Sequence, residues 1–533
     1  MNSRWLLAIL FVVFCGALAL RVPHLDLRPM HGDEAVHAVK FNELWSKGEY
    51  RYDPREYHGP ILYDFALPVV KISGASNFAA LTATTLRLVP ACLGALIIGW
   101  LWLLRDGFGK NRDTILWAAL FTALSPVMVF YSRYFIQEIP LVFFSAGFIA
   151  CLWRARQSSE SRPRQLWLLG AGLNGGLMLA SKETAIIVFA CVALSWFFTL
   201  RVQGGEEQHP TVGGRDWGLV FVVALGVAVC LLSNFGRSLP DFKTASLAAS
   251  TYVSRAGGQE SQGELHRHVW FKYFEWLLWY RGGAGPRWSE AFIALFALIG
   301  LGMAFGRQTH APLARFWAVY TLAMMAVYSV LPYKTPWCAL GFWHGAIVLA
   351  GFGVSQILAL PLRIFAAKPM GARLVQGAVL LFVGAGCWNL YQQVQLSNTR
   401  FFADRRNPWV YAHPTRDVLR LGERVQQLAE LDSRKKALPM VVIAPKGDYW
   451  PLPWELRAQS QVGYFNSIPD LNGARMPIII VAQANIAELY KQMGAEFESD
   501  YRIEYYGLRP GKVFGLCVET ALWEKFLHNA DSG

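Results

Sequence analysis

Apolar runs about as long as a bilayer core is thick recur along the first 400 positions, separated by short polar turns and interrupted by two long polar segments. A helix needs roughly 20 predominantly apolar residues to cross that core. Windows of this kind lie near 5–22, 84–104, 113–131, 138–153, 166–181, 183–201, 217–235, 289–306, 314–331, 336–358 and 374–392. They predict a mainly α-helical, polytopic membrane protein with about eleven or more transmembrane helices. The first window, RWLLAILFVVFCGALALRV, has the Arg4 and the Ala17/Ala19 pattern of a secretory signal. It is read as the first span, because cleavage would upset the topology that follows.

The interruptions carry patterns of their own. Within 23–83, FNELWSKGEYRYD reads as an amphipathic helix and turn at the membrane surface, and ILYDFALPVVKIS as a short apolar helix dipping into its edge. Segment 236–288 closes on HVWFKYFEWLLWYRGG, whose Trp and Tyr content suits an interfacial helix. Beyond residue 393 the pattern changes: LPMVVIAP, MPIIIVA, YRIEYYGLR and KVFGLCVE are strand-like, and IAELYKQMG is helical. The expected organisation is a transmembrane domain over 1–400, with loops 23–83 and 236–288, and a small α/β domain over 410–533.

Composition agrees, with 54% hydrophobic and 16% charged residues, outside the soluble range. The formal charge of +13 does not mark a nucleic-acid binder, because the basic residues fall between the apolar runs. With the amino terminus inside, the inner loops hold Arg105, Lys110 and Arg112; Arg154, Arg156, Arg162 and Arg164; Arg201 and Arg215; Arg307 and Arg315; and Arg363, Lys368 and Arg373. This orientation puts both long loops and the tail on the extracytoplasmic face of a plasma or inner membrane. Seven of the eight cysteines lie in apolar segments and no C-x-x-C occurs, so neither a disulfide framework nor a thiolate metal site is expected.

The stretch RPMHGDEAVHAVK sets Asp33 and Glu34 just past the first span. Two readings stay open from the residues alone. In a partly buried pocket desolvation raises a carboxylate toward the strength of a general base; alternatively the pair caps the amino end of the interfacial helix. In SRYFIQEIP, Arg133 and Glu138 flank the second outer turn. An acid at that depth is a functional candidate, against the alternative of a local pair with Arg133 that fixes the turn.

Three short outer turns, YSRYFIQE, ASKET and LPYKTPW, carry one basic residue each: Arg133, Lys182 and Lys334. A positive cluster at headgroup level suits a phosphate, on which leaving-group charge develops; the alternative is snorkelling from helix ends. YHGPILYDF adds Tyr57 and His58. His31, His37 and His58 stand with Asp33 as a candidate divalent-cation set, but their spacing matches no defined motif, and HRH at 266–268 is weaker still. GAGLNGG at 170–176 contains G-x-G-x-x-G inside a span, where small-residue helix packing explains it better than a nucleotide.

Taken together, the DE pair after the first span, HGP later in the same loop, SRYFIQEIPLVFF and GLMLASKETAIIV resemble the polytopic GT-C-fold glycosyltransferases of the protein O-mannosyltransferase and aminoarabinose-transferase superfamily. LPYKTPW and WVYAHPTRDVLRL look most like a branch associated with flippase activity in archaeal-type glycosylation. The resemblance covers most of residues 1–400. It implies a sugar donor carried on a polyprenyl phosphate, transfer on the outer face to a hydroxyl of a protein, lipid or glycan, and inversion at the anomeric carbon. By the same resemblance Asp33 deprotonates or orients the acceptor with Glu34 beside it, Glu138 after Arg133 is the second-turn acid, and Lys182 is the basic residue of the third turn. Gln137–Glu138 stand where many relatives have an Asp nearby. No nucleotide is implied, and a Mg or Mn ion, which oligosaccharyltransferase relatives bind through acidic residues, is left open.

The rival reading is a lipid-linked sugar flippase or transporter component without transferase chemistry. It would show inverted repeats and charged or Gly/Pro-broken spans near the midplane. No clear repeat is present, and the ionisable residues gather at the outer boundary. A third reading, an assembly subunit with the tail as a docking module, is compatible with the aromatic outer loops.

Overall fold

The computed structural model describes residues 3–53, 58–201, 212–238, 266–306, 311–364, 369–470, 475–494 and 496–531, with a few positions between 250 and 257. Tyr57 and most of the middle of the predicted loop 236–288 lie outside the described residues.

Helices stand at each predicted window. α1 (Ser3–Arg21), α2 (Gly32–Lys47) and α3 (Ile61–Ser73) lead to α4 (Ala83–Leu104), followed by α5 (Thr114–Leu124), α6 (Pro126–Ser132), α7 (Glu138–Gln157), α8 (Ser161–Leu179), α9 (Ala185–Arg201) and α10 (Gly214–Leu232). Then come α11 (Lys272–Leu278), α12 (Ala291–Ala304), α13 (Pro312–Val330), α14 (Leu340–Ile364) and α15 (Pro369–Thr399). Seven described helices are long and apolar enough to cross a membrane, or eight if α5 and α6 count as one bent span. Ala185–Thr199 and Ala291–Ala304 are shorter apolar helices.

The chain forms two compact units, Met1–Leu25 with Glu49–Val69 and Arg87–Tyr411, and Asp26–Gly48 with Val70–Leu86 and Ala412–Gly533. The tail thus separates at 411/412, and the loop predicted over 23–83 is shared between the units.

In the helical unit α7 is central: 89% of its apolar window is buried, against 17% for α1 and α10 and 11% for α15. Helices that meet in hydrocarbon gain little from the hydrophobic effect and pack through small residues instead. A Cβ on Gly172 would stand 2.6 Å from Val223 Cβ and one on Gly176 2.5 Å from Val227 Cβ. The GAGLNGG stretch is therefore a helix-packing face against α10, as expected from the sequence.

α5 and α6 meet at a 60° bend. Pro126 opens α6 and has no N–H to continue the ladder. The broken ends are satisfied by opposite charges. Arg21 donates to Thr122 O at 2.8 Å and Ala123 O at 3.2 Å, at the carboxyl end of α5. Glu290 accepts from Ser125 Oγ at 2.5 Å, Val127 N at 2.8 Å and Trp343 Nε1 at 2.9 Å, at the amino end of α6. A cation at a carboxyl end and an anion at an amino end both match the helix dipole. Because Glu290 faces donors, Glu290→Gln turns an amide N–H₂ toward them. It is expected to cost about 1–3 kcal/mol, measured as a lower midpoint in thermal unfolding of the detergent-solubilised protein.

The second unit is the predicted small α/β domain. Its sheet runs β2-β1-β3-β5-β4, from β1 (Met440–Ile443), β2 (Val462–Phe465), β3 (Ile478–Ala482), β4 (Tyr501–Arg509) and β5 (Lys512–Glu519). β1 pairs parallel with β2 and β3, and β5 antiparallel with β3 and β4. One face, with Met440, Val442, Ile478, Ile480, Leu516 and Val518, packs on α16 (Asp417–Leu431). The other, with Val441, Ile443, Ile479, Val481 and Cys517, packs on Leu489 of α17 (Ile486–Met493). Burial on both faces is why MVVI and IIIV read as continuous apolar runs. The chain then closes with α18 (Thr520–Asp531).

Candidate active site

The predicted site residues divide between the two units. Asp33 and Glu34 belong to the α/β unit, at the start of α2. His31 is the N-cap: its Nδ1 accepts from Asp33 N at 3.1 Å, and Glu34 Oε2 accepts from His31 N at 2.9 Å. This reciprocal pair is a capping box. Glu34 is fully buried, with Arg28 Nη2 at 3.8 Å. Asp33 differs, for its side chain is 55% exposed and its carboxylate makes no hydrogen bond among the described residues. Its approach to His31 Nδ1, at 3.8 Å, is not an ion pair, because a nitrogen that accepts from an amide carries no proton. The two readings left open by the sequence separate onto two residues: Glu34 caps the helix, and Asp33 presents its carboxylate.

Glu138 and Lys182 belong to the helical unit. Glu138 is the first residue of α7, where the helix dipole favours an acid. Lys182 sits in the turn between α8 and α9, its amide bonded to Met178 O at 3.1 Å. The two side chains form a direct, buried ion pair. Burial alone pulls the Lys182 pKa down, but the adjacent Glu138 carboxylate outweighs it and holds the ammonium above its ordinary value. The pair lines a small open pocket that extends along α7 past Leu141 and Val142 to Ser145 and is otherwise walled by groups such as Val188, Met324, Tyr328, Trp337 and Leu340. Glu138 therefore pairs with Lys182 rather than with Arg133.

Arg133 and Lys334 serve helix ends. Arg133 Nη1 donates to Arg21 O at 2.9 Å and Pro23 O at 2.7 Å, and its Nη2 to His24 O at 2.8 Å. With Arg87, which donates to Leu25 O at 2.6 Å, it collects the carbonyls trailing α1. Lys334 donates to the carbonyls of Tyr328 at 3.2 Å, Ser329 at 2.9 Å and Leu331 at the end of α13, with its Nζ 5.6 Å from the Tyr273 ring centroid. Its three N–H groups are used on carbonyls, and burial pushes its pKa below the ordinary lysine value. The structure shows cations at carboxyl termini of helices, not snorkelling.

HGP ties the first loop to both turns. Gln137 Nε2 donates to Gly59 O at 2.8 Å, and Ile61 N to Ala180 O at 3.2 Å. A Cβ on Gly59 would lie 2.1 Å from Ala180 O, so only glycine fits. Gly59→Ala is expected to cost about 1–3 kcal/mol, read as a lower midpoint in thermal unfolding. His58 Nδ1 stands 2.8 Å from Glu183 Oε2, and Glu183 Oε1 accepts from Tyr52 OH at 2.6 Å. This gives an imidazole oriented by a carboxylate. Glu183 is a neighbour the sequence reading passed over, although it stands in ASKET beside Lys182.

Among the described residues no group of three His, Cys, Asp or Glu side chains converges to hold a metal ion. The candidate set of His31, His37, His58 and Asp33 is not assembled as such: His31 is a cap and His58 pairs with Glu183.

Comparison with known proteins bears on both units. The dolichyl-phosphate-mannose-protein mannosyltransferase family matches residues 11–232. The dolichyl-phosphate-mannose–protein mannosyltransferase 6 of Saccharomyces cerevisiae is 24% identical over 223 residues, 40% of this chain and 29% of the yeast protein; the chain thus matches under a third of that relative's length. Among solved structures, ArnT from Cupriavidus metallidurans bound to undecaprenyl phosphate aligns with a TM-score of 0.61 at 13% identity, over 97% of this chain and 98% of that one. The oligosaccharyltransferase AglB from Archaeoglobus fulgidus, in complex with an inhibitory peptide and a dolichol-phosphate, aligns with a TM-score of 0.58 at 13% identity, over 98% and 77%. Helical spans followed by a small sheet domain, aligned over nearly the whole chain with these enzymes, give this protein the fold of the polytopic GT-C glycosyltransferase superfamily.

Proposed function

We propose that the protein is a membrane glycosyltransferase that moves a sugar from a polyprenyl-phosphate donor to an acceptor hydroxyl on the extracytoplasmic face, with inversion. The observation that carries this reading is the Lys182–Glu138 pair, buried at the start of α7 in a pocket walled mainly by apolar side chains. A lipid phosphate is anionic at its head and apolar along its tail, and this pocket offers a cation and an apolar wall in that order. The undecaprenyl phosphate and dolichol-phosphate held by the two similar structures support the assignment.

The step is a single displacement. The acceptor oxygen bonds to the anomeric carbon, the carbon–oxygen bond to the phosphate breaks, the hydroxyl proton passes to a carboxylate base, the role proposed for Asp33, and the departing polyprenyl phosphate leaves with its electron pair. Attack from the face opposite the leaving group inverts the centre. Glu138 keeps the waiting Lys182 ionised and competes with the phosphate for it. Arg133 and Lys334 hold the helix ends that frame the turns. The sugar is a hexose or a pentose.

The test uses purified protein in vesicles with labelled polyprenyl-phosphate mannose or polyprenyl-phosphate aminoarabinose, with and without chelator. Consumption of either donor supports the reading, and the chelator arm reports whether a divalent cation takes part. Label that crosses the vesicle membrane with both donors intact would replace it with the transporter reading.

A further inference from the structure

Three of the inner-loop arginines converge on one acid. Arg105 follows α4, Arg112 stands in the turn before α5, and Arg154 lies in the last turn of α7. All three reach Asp106, from Arg105 Nε at 3.5 Å, Arg112 Nη2 at 3.0 Å and Arg154 Nη1 at 3.6 Å. One carboxylate among three guanidinium groups leaves two positive charges in surplus.

Cations at the carboxyl ends of α4 and α7 match the helix dipoles. Arg105 answers that description, since its Nη1 donates to Trp102 O at 2.9 Å. Arg154 does not. The shortest polar contact of its side chain among the described residues is 3.4 Å, to Gln157 Oε1, and its Nε is buried without a hydrogen-bond partner there. A guanidinium presents five N–H donors in a rigid fork, and leaving such donors buried and unpaired costs free energy. The fork of Arg154 therefore calls for an acceptor that the chain does not supply.

The surroundings set the level of the cluster. Arg154 lies sixteen residues beyond Glu138 on the same helix, about 24 Å along its axis, close to the thickness of a hydrocarbon core. The cluster thus stands at the membrane face opposite the Lys182–Glu138 pair, the inner face in the orientation read from the sequence. Its rings are tryptophans, the residue that prefers the headgroup region: the Arg105 guanidinium lies 4.2 Å from the Trp102 ring centroid and that of Arg154 5.8 Å from the Trp167 centroid. The turn that carries Asp106 is pressed onto α7, for a Cβ on Gly107 would stand 2.6 Å from Trp153 Nε1. Packing, not chance approach of a loose loop, holds the arginines together.

The geometry points to a binding site for the phosphate of an anionic membrane lipid at the Asp106 cluster, in the leaflet opposite the transfer site. Arginine forks match phosphate oxygens bidentately, basic pockets between helices on the inner side suit acidic headgroups, and the tryptophans offer apolar faces to the glycerol backbone. The assignment is independent of the transfer reaction, and its test needs no turnover.

The full-length protein in detergent is titrated with phosphatidylglycerol and, separately, with phosphatidylcholine, and bound lipid is counted by native mass spectrometry. Saturable binding of phosphatidylglycerol is expected, weakened about 10–30-fold by Arg112→Gln combined with Arg154→Gln. Arg162→Gln combined with Arg373→Gln removes the same charge from exposed positions on the same face and is expected to leave the binding as it was. Asp106→Asn removes the carboxylate that competes with the phosphate and should tighten binding, a sign that damage to the fold would not give. Equal loss in the two double variants would mean diffuse surface charge and overturns the site, as would phosphatidylcholine binding as tightly or Asp106→Asn binding no better than the parent. A last arm adds inorganic phosphate at the lipid's own concentration. Undisturbed lipid binding supports the assignment, whereas displacement would make this a site for a soluble anion and overturn it.

Discussion

Lys182→Met combined with Glu138→Leu is expected to leave a protein about as stable as the parent with about 10²–10³-fold less donor turnover, whereas Lys182→Met alone should cost about 3–5 kcal/mol of stability as well. Removing one partner strands a charge in a site where both residues are more than nine-tenths buried. Removing both and filling the space with apolar atoms relieves desolvation and loses little packing, because the neighbours Leu141, Val142 and Val188 are already apolar. A pair kept for stability alone would give a double variant with normal turnover. A pair kept for a phosphate gives one that folds and does not react. Thermal unfolding and donor consumption on the same preparations separate the two, and normal turnover in the double variant would sink the phosphate role of Lys182.

The windows of apolar residues placed every span-length segment, because crossing a bilayer constrains composition over roughly 20 residues at a time. What they could not show is how breaks inside a span are satisfied. Thr114–Ser132 reads as one run, yet it bends at Pro126, and the groups that make the bend affordable, Arg21 and Glu290, come from distant helices and carry no local signal. The charged turns were legible as positions and less so as roles. Arg133, Lys182 and Lys334 look alike in sequence, one basic residue in each short turn, but two meet helix carbonyls and the third meets a carboxylate. That difference is set by which helix end lies opposite, a tertiary fact. In the tail, MVVI and IIIV were plain because both faces of the sheet are buried, while the edge strand β2, half exposed over VGYF, offered no comparable run. The DE pair was visible as a pair, and only the capping geometry of His31 divides it.

That division makes the second large prediction. Asp33→Asn should lower donor turnover by about 10²–10⁴-fold, the usual contribution of a positioned general base, with unfolding unchanged. Its side chain is half exposed and makes no hydrogen bond among the described residues that an amide would break. Glu34→Gln should do the reverse. The amide oxygen still accepts from His31 N, so the capping box survives; the charge facing Arg28 at 3.8 Å is lost, which should lower stability by about 1 kcal/mol and leave turnover per folded molecule within about tenfold of the parent. Two adjacent acids of the same depth in sequence would thus give opposite phenotypes to the same isosteric change. Donor consumption and thermal unfolding of the two variants decide it, and a dead Glu34→Gln beside an active Asp33→Asn would exchange the roles assigned to them.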